Sequence, residues 1–267
     1  KSTAKVYNLV DWPENQKPKA PEGFIVTKFA DGFDNPRWTY IAPNEDIFVV
    51  ESNTRSSADK VTLLRDTNND GKFEVRETFL ENLNQPFGML VIGNSFYVAN
   101  TDGLYKYPYT EGQTSLKDVE GTKIVSLPAG GYNNHWTRNI ITNDEKDKIY
   151  ISVGSASNVG ELGDNLVPDY ITSVQKGGFY GWPYSYFGQI EDPRMEGKAD
   201  SLVEKAIVPD VSVGPHTASL GFTFYTDNQF PEKYKNGAFI GQHGSWNRSK
   251  FSGYKVTFVP FSNGKPT

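Results

Sequence analysis

The chain has 267 residues, 37% hydrophobic and 22% charged, with a formal net charge of −5 and no cysteine. That is enough apolar material for a packed core and excludes disorder. It also excludes disulfides and cysteine-based metal or redox chemistry. With no long basic run, the charge argues against nucleic acid as a partner.

No run approaches the ~18 apolar residues of a membrane span. The first residues, Lys1-Ser2-Thr3-Ala4-Lys5, contain no apolar signal core and read as the start of an already processed chain. Residues 1–22 read as an extended, proline-containing leader, and residues 23–267 as one β-domain. Aromatic residues make up 14% of the chain, and it holds 25 Gly and 16 Pro. Such a composition favours short strands and many turns over helices.

From residue 35 a pattern recurs: a polar loop, a strand, a turn, then a strand of β-branched and aromatic residues. Its copies are NPRWTYIAPNEDIFVVESN (35–53), QPFGMLVIGNSFYVANTDG (85–103) and HWTRNIITNDEKDKIYISVGSASN (135–158). A looser copy covers 218–245. The second strands are expected to open at Ile47, Phe96, Ile149 and Ala238. A period near ~50 residues with about four short strands per unit marks β-propeller blades, so the predicted fold is an all-β propeller. A β-sandwich with irregular loops is the alternative. Near-continuous apolar runs suit strands buried on both faces. The last spacing is much wider, so something between residues 150 and 238 breaks the repeat. One short helix is expected, around Ser201–Ala206.

Candidate chemistry sits in the loops. Residues 66–77, DTNNDGKFEVRE, match a calcium-loop pattern in full. Asp66, Asn68 and Asp70 would supply oxygens, and Glu77 would close the shell. The flanks read as strands, so the same string also suits an Asx-rich hairpin turn that needs no metal. Gln85, His135, Arg138 and His216 stand in loops just before first strands of the repeat. In a propeller such loops converge on one axial site. His243 and Arg248 follow a strand and suit the same end of the channel. Histidine is the side chain best placed for general-base work near neutrality, and arginine offers a planar fork for carboxylates or quinone oxygens. The bland alternatives are loop histidines capping backbone groups, an ion pair at Arg138 and a turn hydrogen bond at Gln85. Asp164 and Asp169, in ELGDNLVPDY (161–170), suit either a hard cation or a solvated loop. In KGGFYGWPYSYFG (176–188), Trp182 and the tyrosines are expected to pack between blades.

The strings GGYNNHWTRNI, KGGFYGWPYSYFG, GPHTASLGFTFY and GAFIGQHGSWNRS occur in that order, and together they resemble the glucose/sorbosone dehydrogenase family. These are soluble sugar dehydrogenases dependent on pyrroloquinoline quinone (PQQ), nearest here to the L-sorbosone dehydrogenase-like branch. The resemblance runs from about Gly23 to the end. It implies a six-bladed propeller that is periplasmic or secreted and takes a sugar substrate, with a cytochrome or quinone as electron acceptor. It implies PQQ over the channel mouth, with calcium polarising its quinone. His135 would be the catalytic base. Gln85, Arg138, Arg248, His216 and His243 would surround the cofactor. Asp169 and the carbonyl of Tyr180 match the region of a calcium site. Compared with the family, the chain lacks parts of the ring: a blade's worth of residues at 160/161, and more after 267. Two other functions remain open. One is a calcium-dependent lactonase-type hydrolase, which would need several carboxylates on the axis. The other is a non-catalytic sugar- or protein-binding propeller.

Overall fold

A computed structural model describes residues 13–54, 56–130, 135–155 and 162–267. The expected break at 160/161 and residues 1–12 of the leader lie outside these. The described residues form an all-β fold with one four-residue α-helix, α1 (Asp200–Val203), which overlaps the Ser201–Ala206 stretch where a helix was expected. The chain packs as two units, one of residues 29–157 and the other of the described residues in 1–28 and 158–267.

The first unit opens with two antiparallel four-stranded sheets, each in sequence order. They are β1 (Pro36–Ile41), β2 (Ile47–Glu51), β3 (Lys60–Arg65) and β4 (Val75–Leu80), then β5 (Met89–Ile92), β6 (Ser95–Asn100), β7 (Gly103–Pro108) and β8 (Thr122–Ser126). A two-stranded piece follows, β9 (Ile140–Thr142) against β10 (Ile149–Ile151). The second strands of the repeat thus begin at Ile47, Ser95 and Ile149, at or within one residue of expectation. In β2 and β3 nearly every residue is buried, since both are inner strands of their sheet and side chains such as Phe48, Val50, Val61 and Leu63 pack in one core with Met89 and Phe96 of the second sheet. Phe48, Phe79 and Phe96 are fully buried and meet at centroid distances of 4.7–4.9 Å. Fully burying each ring contributes about 1.5–3 kcal/mol.

The second unit explains the broken repeat. Between residues 150 and 238 it holds β11 (Pro168–Ile171) paired with β14 (Val211–Pro215). Enclosed by that pair in sequence is a short hairpin, β12 (Ser185–Tyr186) with β13 (Ile190–Glu191). The repeat then resumes as a three-stranded sheet of β15 (Ser219–Phe224), β16 (Ala238–Gln242) and β17 (Lys255–Val259). A last hairpin pairs β18 (Phe261–Ser262) with β19 (Lys265–Pro266). Phe24, beyond the leader, stacks edge-on against Phe230 (4.8 Å) and Tyr234 (5.2 Å) of this unit. Trp182 is 48% exposed, so about half of its side chain stays at the surface.

One hydrogen bond recurs through the repeats. The residue after the second strand donates its N–H to the loop before the first: Ser52 to Asn35 O, Thr101 to Asn84 O, Ser152 to Asn139 O and His243 to Ala218 O, at 2.9–3.1 Å. Each loop is therefore tied to its own sheet, a rigid mount for a functional side chain.

Candidate functional site

In the first unit the loops of three successive repeats meet. The Ser52 hydroxyl donates to Pro86 O (2.7 Å), and Gln85 Nε2 donates to Asn53 O (2.9 Å). The Gly88 N–H donates to Arg138 O (2.9 Å). A Cβ at Gly88 would stand 2.7 Å from the Ile140 nitrogen, so the two loops approach this closely only with glycine there. Trp136 is buried and packs edge-on against Phe87, with ring centroids 6.1 Å apart. Gln85 has φ +49°, a conformation that costs a non-glycine residue about 1–2 kcal/mol. Its amide nitrogen donates to the loop after β2, 32 residues away, a contact between repeats and not a turn bond within its own loop.

The His135 ring is oriented by the chain. Its Nδ1 lies 2.8 Å from Ser155 O. A carbonyl can only accept, so Nδ1 carries the proton and the lone pair of the neutral ring is on Nε2. Arg138 is buried, and its guanidinium donates to three carbonyls: His135 O (2.9 Å), Thr137 O (3.1 Å) and Pro128 O (2.7 Å). Its Nε is buried without a partner. The ion pair weighed for Arg138 is not among its described contacts. Burial lowers its pKa, and no carboxylate among the described residues acts against that shift.

In the second unit three of the singled-out loops also meet. His216 Nε2 lies 2.6 Å from Gly163 O, so here the lone pair falls on Nδ1. Arg248 Nη2 donates to Asn165 Oδ1 (3.1 Å), and its Nε is buried without a partner. Asp164 accepts from the Ser249 hydroxyl and from the Ser249 N–H. These bonds, with the charges of Arg248 and His216, hold its pKa below the usual carboxylate range. His243 is exposed, and its N–H donates to Ala218 O (2.9 Å). His216 and Ala218 both have positive φ, +55° and +48°; strain of this kind gathers at functional loops. Asp169 Oδ2 accepts from the Thr217 N–H (2.9 Å) and hydroxyl (2.6 Å). The Tyr180 hydroxyl donates to Ser173 O (2.6 Å) and accepts from the Gln175 N–H (2.9 Å). Gln85, His135 and Arg138 thus share one unit, and His216, His243, Arg248, Asp169 and Tyr180 share the other.

The acidic loop differs from its sequence pattern. Glu77 is exposed on β4, paired with Leu63 of β3. Glu74 takes its place, grouped with Asp66 and Asp70 within 4.8 Å. Glu74 accepts from the Thr67 N–H (2.7 Å), the Thr67 hydroxyl (2.9 Å) and Asn68 Nδ2 (3.0 Å). Asp66 accepts from the N–H groups of Asn68, Asp70 and Gly71. This is an Asx-rich hairpin turn whose carboxylates bind their own chain. Among the described residues it is the one grouping of three potential metal-ligating side chains, and Asp169 is not part of it.

Sequence comparison decides the family. The profile of a family described as TrAA12-like matches residues 18–166 and 187–267. The chain belongs to the TrAA12-like family. This agrees with the resemblance carried by the motifs. An "Uncharacterized protein" of Borreliella burgdorferi is 26% identical over 298 aligned residues, covering 90% of this chain and 75% of that protein. That span exceeds this chain's own length, so the relative carries residues without a counterpart here. A PQQ-dependent pyranose dehydrogenase of Coprinopsis cinerea is 29% identical over 128 residues, 48% of this chain and only 16% of that protein. Among solved structures, the holo PQQ domain of the Coprinopsis cinerea pyranose dehydrogenase superposes with a TM-score of 0.68 at 16% identity, covering 93% of this chain and 82% of that domain. An AA12 enzyme of Trichoderma reesei, in its iodide structure, gives a TM-score of 0.71 at 18% identity, covering 94% and 84%. The TrAA12-like chain shares the fold of these enzymes. Among its described residues no helix is long and apolar enough to cross a membrane.

Sequence reasoning passed over Ser155 and Gly154, which place the His135 ring, and over Arg37. Arg37 was open to recognition, because its Asn-Pro-Arg loop precedes a first strand as the Gln85 loop does.

Proposed function

We propose that the protein is a PQQ-dependent dehydrogenase that oxidises a sugar or sugar aldehyde of the aldose or sorbosone type, with His135 as general base. The reading extends to a six-bladed propeller, to a periplasmic or secreted location, and to a cytochrome or quinone as electron acceptor. The observation that carries it is the bond from His135 Nδ1 to Ser155 O, which leaves the neutral ring able to accept a proton at Nε2.

The residues present suit an anionic polycarboxylate such as PQQ. Among the described residues Arg138 brings a buried positive charge with no carboxylate partner, and its Nε is without an acceptor. Buried charges of this kind are costly unless matched. Arg248 offers a second such Nε. Gln85 borders the His135 loop, and His216 and His243 belong with Arg248. Bound at the His135 loop, PQQ would supply the two-electron acceptor for the hydrogen leaving the sugar carbon. His135 takes the hydroxyl proton at Nε2, and Ser155 O steadies the imidazolium through Nδ1–H. Arg138 holds the carbonyls of the His135 loop while the charge changes.

Calcium finds less support at Asp169 and Tyr180. A calcium ion takes six to eight oxygens. Asp169 is the carboxylate named there, and one of its oxygens already accepts twice from Thr217. No step is assigned to the metal.

The test is reconstitution with PQQ, with and without calcium, followed by dye reduction with aldoses and with sorbosone. Activity is expected in wild type and loss of at least about 10²-fold in His135→Ala. Absence of activity together with an unchanged quinone absorbance would reject the function.

A further inference from the structure

Arg37 is the second residue of β1, directly after the Asn35 loop, with its guanidinium carbon 5.5 Å from the ring centroid of Trp136. Trp136 directly follows His135. The indole is a fixed floor, buried and wedged against Phe87, which itself packs on Trp38 at 5.6 Å. The loop is pinned as firmly. The Asp34 N–H donates to the buried carboxylate of Glu51 (2.5 Å), the Ser52 N–H to Asn35 O (3.1 Å), and Asn53 Nδ2 to Asn35 Oδ1 (3.2 Å). Arg37 is therefore a cation held over the indole of the residue that follows the candidate base.

Arg37 and Arg138 share one property. Neither is paired with a carboxylate among the described residues, and desolvation, partial at Arg37 and nearly full at Arg138, lowers the pKa of each. They differ in their donors. Those of Arg138 are largely spent on three backbone carbonyls inside the protein. Arg37 makes no hydrogen bond or ion pair among the described residues, and it is exposed. A guanidinium stacked on an indole keeps its N–H edge for a ligand in the plane of the fork.

We propose that Arg37 is the anion-binding residue beside His135, its fork holding a carboxylate of the quinone cofactor, while Arg138 supplies charge and orders the loop. This rests on the PQQ reading and deepens it by naming which arginine of the first unit makes the contact. No sequence motif singled Arg37 out; its pose over Trp136 does.

The test is equilibrium binding of PQQ to the apo protein, followed by tryptophan fluorescence and by calorimetry. Wild type, Arg37→Gln and Arg37→Lys are compared, with thermal melts to verify the fold. Loss of a charge-assisted bidentate contact should weaken PQQ binding in Arg37→Gln by about tenfold or more. Arg37→Lys keeps the charge but not the fork and should fall between. PQQ esterified at its carboxylates should bind wild type and Arg37→Gln alike. Equal affinity of wild type and Arg37→Gln for free PQQ would overturn the assignment and leave the PQQ reading intact. Failure of wild type to bind PQQ would overturn both.

Discussion

His135 is placed by what surrounds it more than by its own loop. A Cβ at Gly154 would stand 2.6 Å from the Cβ of His135 and 2.8 Å from its carbonyl oxygen. Glycine at 154 thus lets Ser155 O come within reach of Nδ1. Gly154→Ala should push the ring from its acceptor and lower kcat of the reconstituted enzyme by on the order of 10²-fold, while the fold survives. Steady-state kinetics with parallel melting curves check this; an unchanged kcat would mean that the ring does not depend on this contact. The histidine itself was legible in the sequence, from its Gly- and Asn-rich loop before a repeat strand. Its supports were not, because Ser155 lies 20 residues away and acts through a backbone atom. Glu77 misled for a related reason. The calcium-loop spacing assumes a loop that continues to its twelfth position, whereas here the chain re-enters a strand at Val75. Glu77 is committed to the sheet, and Glu74, still in the turn, meets Asp66.

Strands were more legible than loops. Ile47, Ile149 and Ala238 open strands where the repeat placed them, since β-branched and aromatic runs between turn residues have few other ways to satisfy their backbone. The interruption was visible only as a widened spacing. Its content, the pairing of β11 with β14 around a two-residue hairpin, has no periodic signal because such short strands carry none. The first two sheets are held together chiefly by their phenylalanines. Phe96 of β6 is fully buried and touches Phe48 of β2, Phe79 of β4 and Tyr109. Phe96→Ala leaves a cavity between two sheets that backbone hydrogen bonds keep from closing. It should cost about 3–5 kcal/mol, read from denaturant unfolding. A loss below about 1 kcal/mol would mean that the two sheets are not joined through this cluster.

At the scale of the whole molecule the formal charge of −5 includes a set of carboxylates held below their usual pKa by their own neighbours. Glu74 is held below its usual pKa by the Thr67 N–H and hydroxyl, Asp192 by Arg194, Asp210 by the Ser173 N–H and Asp164 by Ser249. For Asp66 and Asp102 burial raises the pKa, but the N–H groups around Asp66, and Lys123 with Tyr105 beside Asp102, outweigh it. Asp59 runs the other way, raised by burial and by Asp34. In the unfolded chain these carboxyls take up protons near pH ~4. In the folded chain the depressed ones do so only at lower pH. Through that window the unfolded state binds more protons, so stability present above pH ~4 is lost as the pH falls through the folded values. Many of these groups lie at the surface, where salt screens each contribution, so the effect is a sum over both units. Urea midpoints should hold from pH 7 to about pH 5 and fall below it. Protonation also leaves 27 Lys and Arg repelling one another, which has the same sign. Asp192→Asn separates the two causes. Its carboxylate is buried and paired bidentately with Arg194. Removing it lowers stability at pH 7 and flattens the acid slope if paired carboxylates are the cause. An undiminished slope in Asp192→Asn would assign acid sensitivity to general repulsion instead.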